Sequence, residues 1–167
     1  FLEFACGFGR FTRFLVTRLA AGRITTSDIL PAAVSFVADR FGTQPLLSQI
    51  DPEGLVFPRR YDVIWVGSLF SHLPRKRFED WLRVLYAQLS PRGVLLFTTH
   101  AWEVCPSSWA NDTGFAFAGQ SETAELDLEE YGSTYVQQHV LEEIAARAGI
   151  LHLRSRSRDV WTTQDLH

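Results

Sequence analysis

Phe1-Leu2-Glu3-Phe4-Ala5-Cys6-Gly7-Phe8-Gly9-Arg10-Phe11-Thr12 carries an apolar run with one acid into a patch of small residues, then into an amphipathic segment. The run 1–5 reads as a strand and Ala5–Gly9 as a tight turn. Arg10–Ala21, with Phe11, Phe14, Leu15 and Leu19 at helical spacing, reads as a helix that Gly22 stops. Glycines let main chain pass close to a ligand, and a helix start offers unpaired N–H groups. Ile24-Thr25-Thr26-Ser27-Asp28 is a second strand ending on an acid, about 19 residues after Gly9. A carboxylate there can accept both hydroxyls of an adenosine ribose. It can equally cap the helix that opens near Pro31.

Outward from this unit, strands and helices alternate. Ala33, Val34, Val37 and Phe41 mark a second helix closed by Gly42, and Leu46–Ile50 a third strand followed by the loop Asp51-Pro52. Tyr61–Val66 is apolar on both faces after Asp62, as a central parallel strand requires. Phe78, Trp81, Leu82, Leu85 and Leu89 predict a third helix, Val94–Thr99 a fifth strand, and Val136 to Ala148 a last helix. Ile150–Ser155 and Asp159–Thr163 read as a closing antiparallel pair. The expectation is one α/β domain over 1–167: a Rossmann-like doubly wound sheet, mostly parallel, with helices on both faces. Residues 100–135 break the rhythm, and a loop of that length is commonly functional.

A dinucleotide fingerprint places a third glycine where Thr12 stands, and Phe8 and Phe11 would crowd a pyrophosphate. Glu3-Phe4-Ala5-Cys6-Gly7-Phe8-Gly9 instead resembles the first motif of class I S-adenosylmethionine-dependent methyltransferases, an acid followed by GxGxG, with Ala5 in place of the first glycine. Three further segments resemble that family in the same order. They are Asp51–Phe57 after the third strand, Tyr61–Leu73 through the fourth, and Leu89–Leu96 leading into the fifth.

The resemblance implies a seven-stranded sheet whose last strand is antiparallel, with S-adenosyl-L-methionine at the carboxyl ends of its strands. By motif, Glu3, Ala5, Cys6, Gly7 and Gly9 would line the methionine side. Asp28 and Ile29 would face the ribose, Asp51 and Pro52 the adenine, and the backbone at Gly67, Ser68 and Leu69 would close the pocket. Bland roles stand beside these: Gly7 and Gly9 as turn formers, Glu3 as a strand-end acid, Cys6 as a packing residue, and Asp-Pro as the start of a turn. Phe1 opens on a strand already under way without an initiator Met, so an N-terminal segment that usually covers the cofactor is expected to be missing.

A sulfonium donor is already activated, so transfer needs an in-line nucleophile, and a base only where that nucleophile enters protonated. His72 and His100, after the fourth and fifth strands, are the candidate bases. His100, Trp102 and Trp109 are candidate acceptor contacts in a 100–135 lid. Glu122, Glu125, Asp127, Glu129 and Glu130 read as a solvated acidic face, and Arg154, Arg156 and Arg158 as one exposed side of a terminal strand.

A net charge of −3 gives no basic footprint for nucleic acid, and Gly67-Ser68-Leu69-Phe70 departs from the motif of amino-group nucleic-acid methyltransferases. Cys6 and Cys105 have no metal-ligand or disulfide-framework spacing, and no apolar run is long enough for a membrane span. The expectation is therefore a metal-free cytoplasmic enzyme acting on a small-molecule, glycan or lipid-precursor acceptor, with oxygen as the candidate methylated atom. An NAD(P)-dependent oxidoreductase and a non-catalytic cofactor-binding or scaffold domain are the alternatives.

Overall fold

In the computed structural model the described residues are 1–119 and 128–167. Glu122, Glu125 and Asp127 of the acidic stretch lie outside them. The chain divides into two compact units, Phe1–Gly67 with Gln88–Leu96, and Ser68–Ala87 with Phe97–His167.

The first unit is built on β1 (Leu2–Phe4), every residue of which is buried. It pairs in parallel with β2 (Thr25–Asp28) on one side and β4 (Tyr61–Val66) on the other, and β2 pairs in parallel with β3 (Gln44–Leu47). With the first residues of β5 (Leu89–His100), the strand order is β3-β2-β1-β4-β5. The central place of β1 explains why an apolar run of only three residues forms a strand: both edges are hydrogen-bonded and both faces covered.

Helix α2 (Pro31–Phe41) follows its sequence signals closely. Pro31 sits in the first turn, Ala33, Val34 and Val37 are buried, and Gly42 ends the helix at φ 72° with its N–H on Ala38 O at 2.8 Å. Helix α1 is shorter than expected, Thr12–Leu15 instead of 10–21. Thr17 and Arg18 donate to residues three back, so the chain tightens after Leu15, and Phe14 stays 58% exposed. The expected apolar stripe is thus only partly buried.

The second unit holds α3 (Arg75–Ala87) and α4 (Gln138–Arg147), which bury Phe78, Trp81, Leu82 and Leu85, and Val140, Leu141, Ile144 and Ala145. Ring contacts tie Phe70 to Phe78 (4.7 Å) and Phe97 (5.1 Å), and Phe78 to Phe115 (5.7 Å). The aperiodic 100–135 stretch proves to contain strand β6 (Phe115–Ala118), which pairs antiparallel with β7 (Ser133–Val136). Strand β7 runs parallel to β5 through His100 and Tyr135.

The C-terminal antiparallel hairpin is present, but displaced along the chain to β8 (Arg156–Val160) and β9 (Gln164–Leu166), with β9 antiparallel to β5. Ile150–Ser155 is not a strand: Ile150 N–H still closes the end of α4 on Ala145 O, and Leu151 is 84% exposed. The arginine alternation also breaks, because Arg158 has φ 52°. Among the described residues nine strands are formed, mostly parallel in the first unit and mixed in the second.

Candidate functional site

After Phe4 the chain turns sharply, with Ala5, Gly7 and Gly9 all in the left-handed region (φ 60°, 51° and 80°). Cys6 N–H reaches Ser27 O at 2.9 Å, and Gly9 N–H closes the turn on Cys6 O at 3.1 Å. The two glycines serve different purposes. A Cβ on Gly9 would lie 2.7 Å from Phe41 Cε2 and 3.2 Å from Val37 Cγ2, so its bareness lets α2 pack against the turn. A Cβ on Gly7 would meet nothing within 4 Å, so the main chain there borders open space. Ala5, which stands where the family pattern has a glycine, adopts a left-handed conformation that costs an alanine roughly 1–2 kcal/mol.

Two buried carboxylates flank the turn. Asp28, at the end of β2 and 8% exposed, accepts Gly7 N–H on Oδ2 at 2.8 Å and Leu30 N–H on Oδ1 at 3.0 Å. It therefore braces both the glycine turn and the entry to α2, and each oxygen retains a lone pair for a ligand hydroxyl. Glu3, 3% exposed, accepts the Thr12 hydroxyl on Oε2 at 2.7 Å. Burial pushes its pKa up to about 7, the Thr12 hydrogen bonds oppose the shift, and the Asp28 charge adds to it. Among the described residues neither acid is in an ion pair. The Cys6 thiol is buried and held near 12, first by desolvation and then by these two carboxylates, so it packs and does not react.

Ile29 follows Asp28 and is half-buried. Asp51 sits in a local turn, its Oδ1 accepting Glu53 N–H at 2.9 Å, while Pro52 is buried beside it in sequence. Gly67 ends the first unit just past β4.

Ser68 and Leu69 belong to the second unit. Ser68 adopts φ 64°, and its N–H is committed to Thr98 Oγ1 at 2.9 Å. Gln164 fixes this bend: its Oε1 accepts from Thr98 Oγ1 at 2.6 Å, and its Nε2 donates to Ser68 Oγ at 3.0 Å and Ser71 Oγ at 3.3 Å. Leu69 opens the single 3-10 turn Leu69–Ser71 that leads to His72.

The second unit brings the two candidate histidines together. Their ring centroids lie 5.7 Å apart, edge to face. His72 Nδ1 is 2.7 Å from Gly132 O, and His100 Nδ1 is 3.1 Å from Thr134 O. His72 stacks on Tyr131 at 4.7 Å, His100 on Tyr135 at 4.9 Å, and Trp109 stands against Tyr135 at 6.1 Å. Trp102, in the 3-10 turn Trp102–Val104, is half-buried. Burial lowers the His100 pKa, the neighbouring His72 lowers it further, and the Thr134 carbonyl partly opposes them.

Sequence reasoning missed Thr12, Gly132, Thr134, Tyr131, Tyr135 and Gln164. The β-branched and aromatic run Ser133-Thr134-Tyr135-Val136 was an available signal for a strand. Thr12, one residue past the glycine turn, announced nothing.

A parallel sheet whose central strand runs through a glycine turn into a helix, with an acid ending the next strand, defines a Rossmann-like nucleoside-binding fold. The sequence pattern of the Methyltransferase domain family matches residues 2–95, and the chain belongs to that family. It is 32% identical over 100 residues to the malonyl-[acyl-carrier protein] O-methyltransferase of Priestia megaterium (59% of this chain, 35% of that one). It is 29% identical over 102 residues to the enzyme of that name from Calditerrivibrio nitroreducens (61% and 38%). The chain thus spans little more than a third of the length of these relatives. A crystal structure of an S-adenosylmethionine-dependent methyltransferase from Clostridium acetobutylicum superposes with a TM-score of 0.68 at 16% identity, covering 99% of this chain and 80% of that one. At that identity the likeness shows a shared fold.

Proposed function

We propose that this chain transfers a methyl group from S-adenosyl-L-methionine to an oxygen of a small-molecule, glycan or lipid-precursor acceptor (an EC 2.1.1 activity). The observation that carries the reading is Asp28, a buried carboxylate braced by Gly7 and Leu30 amides beside an open glycine face. The residues fit the donor. Asp28 offers acceptor lone pairs to two sugar hydroxyls, Gly7 leaves room against main chain, and Glu3 is an acid without an ion-pair partner among the described residues, suited to a cationic ligand. When bound, that donor supplies a methyl carbon on a sulfonium, a leaving group that needs no protonation. Ile29, Asp51, Pro52 and Gly67 are the further contacts we assign to its nucleoside and methionine parts. His100, Trp109 and Tyr135 are the residues we assign to the acceptor.

A cytoplasmic location is supported by the two free thiols, Cys6 and Cys105. Among the described residues no helix is long and apolar enough to cross a membrane. The net charge of −3 favours a small acceptor over a nucleic acid.

Calorimetry with S-adenosylhomocysteine and with NAD tests the reading. We expect binding of the first, and a more than tenfold loss in Asp28→Ala, because charge-assisted hydrogen bonds contribute about 1.5–3 kcal/mol each. Tight binding of NAD alone would reverse the assignment. Unchanged affinity in a folded variant would leave Asp28 only its bracing role.

A further inference from the structure

We propose that Glu3 keeps its proton in the empty site and gives it up to solvent when a cation seats beside it, so that binding of the donor is coupled to proton release. This rests on the donor-binding reading above and adds to it a regulation by pH. All the protein groups involved lie in the first unit.

Glu3 is the middle residue of β1, in register with Thr26 on one side and Trp65 on the other, and it is 3% exposed. An acid in the centre of a parallel sheet has no water to stabilise its charge. Among the described residues the carboxyl group takes hydrogen bonds from Thr12 only, whose hydroxyl meets Oε2 at 2.7 Å, and Thr12 is itself fully buried. A hydroxyl both donates and accepts, so Thr12 serves the carboxylate and the carboxylic acid alike.

The charged and titratable groups on the elements packed around Glu3 offer no compensating cation. Strand β2 brings Asp28, the glycine turn brings the Cys6 thiol, and β4 sets the uncharged Trp65 in register. Arg10 and Arg13, before and within α1, are exposed, and the Arg13 guanidinium lies over the Phe14 ring at 4.7 Å. Desolvation and the like charge of Asp28 outweigh the Thr12 hydrogen bonds, and the Glu3 pKa rises to about 7.

A cation reverses this balance. The donor brings a fixed positive charge on sulfur and an ammonium at its methionine end, and the open main chain at Gly7 admits a ligand to the turn that follows Glu3. A positive charge beside a buried carboxyl favours its ionised form. Cation and proton then compete for one group, and each weakens the other by the same factor. The O–H bond of Glu3 breaks, its electron pair stays on the carboxylate, and the proton passes to water.

Calorimetry of the full chain with S-adenosylmethionine at pH 6, repeated in buffers of different ionisation enthalpy, counts the protons released. Close to one proton should leave per ligand bound, and affinity should rise about tenfold from pH 5 to pH 6 and flatten above 7. Glu3→Gln has no such proton, so the count and the pH dependence should both vanish, with affinity at pH 7 lower by at least about tenfold. The neutral probe 5′-methylthioadenosine keeps the nucleoside and lacks both cations, and should bind without proton release. S-adenosylhomocysteine keeps only the ammonium: release with it assigns that cation, and release with S-adenosylmethionine alone assigns the sulfonium. Should Glu3→Gln unfold, carboxyl 13C shifts of the unaltered, unliganded chain carry the test, and a Glu3 already ionised at pH 5 overturns the proposal. No release with S-adenosylmethionine, an undiminished count in Glu3→Gln, or equal release with 5′-methylthioadenosine defeats it alone. Failure of both S-adenosylmethionine and S-adenosylhomocysteine to bind defeats the donor-binding reading as well.

Discussion

The glycine turn of the first unit and the histidine pair of the second surround their ionisable groups with opposite backbone polarity. Around the turn, Glu3 and Asp28 have no ion-pair partner among the described residues, and their hydrogen bonds come from Thr12 and from main-chain amides. In the second unit, His72 and His100 turn their Nδ1 atoms to the main-chain carbonyls of Gly132 and Thr134. Donors converging on carboxylates favour their charged form and at Glu3 oppose the larger effect of burial, whereas acceptors converging on imidazole Nδ1 atoms fix which ring nitrogen carries the proton. The backbone polarity around a side chain thus states its chemistry more directly than the side chain does.

Acid titration offers the largest test of this contrast. Glu3 is pushed up to about 7, so from pH 4.5 to 7 the folded chain keeps a proton that the unfolded chain releases. Its stabilising contribution is complete below 4.5 and lost as pH rises through 7. His167, 6% exposed and lying between Thr99 Oγ1 (2.9 Å) and Ser155 Oγ (2.8 Å), is pushed down by burial to about 4. The unfolded chain therefore takes up a proton below 6.5 that the folded one refuses, and stability falls as pH drops from 6.5 to 4. Each group is worth roughly 3 kcal/mol over its window, with opposite sign. Denaturant unfolding of the unaltered chain should vary little between pH 4.5 and 6.5. Glu3→Gln should expose a stability that rises with pH, and His167→Gln one that falls. Parallel pH curves for the two variants would break the comparison.

Within the turn, the two glycines sharpen it further. Gly9→Ala should cost about 2–3 kcal/mol, from the clash with Phe41 and Val37 and from its left-handed backbone. Gly7→Ala should cost only about 1 kcal/mol in backbone strain, while weakening S-adenosylhomocysteine binding at least tenfold. Thermal melts and calorimetry on both variants separate these outcomes, and equal melting losses would refute the division of labour. The smallest effect is a gain. Ala5→Gly should relieve left-handed strain and raise stability by up to about 1 kcal/mol, read as a higher denaturant midpoint.

Elements with local punctuation were legible in the sequence. Pro31 and Gly42 bound α2, Asp28 closes β2, and the glycines locate the turn. Each is a constraint that a residue imposes on its own backbone. The glycine turn and the strand-end acid of the candidate site were readable for the same reason, since both are local features.

What was hidden depends on partners distant in the chain. Thr12 becomes important only because Glu3 is buried beneath it, and α1 shortens although its apolar spacing promised a longer helix. Tyr135 on β7, and Tyr131 just before it, meet the His100 and His72 rings only because β7 lies along β5. The terminal hairpin slipped along the chain because positive φ at Trp161 and Thr162 (48° and 60°) sets its bend, at residues with no turn signature.

Asp28 ties the amides of Gly7 and Leu30 through one carboxyl group. A nucleoside seated against this group from the open side would restrain the carboxyl and keep water from both amides, so occupancy would be written into two stretches of main chain at once. Deuterium exchange at those two positions should then slow together when the sugar seats and quicken together when it leaves. The protein would thereby report its loading at the entrance to α2 as well as at the glycine turn.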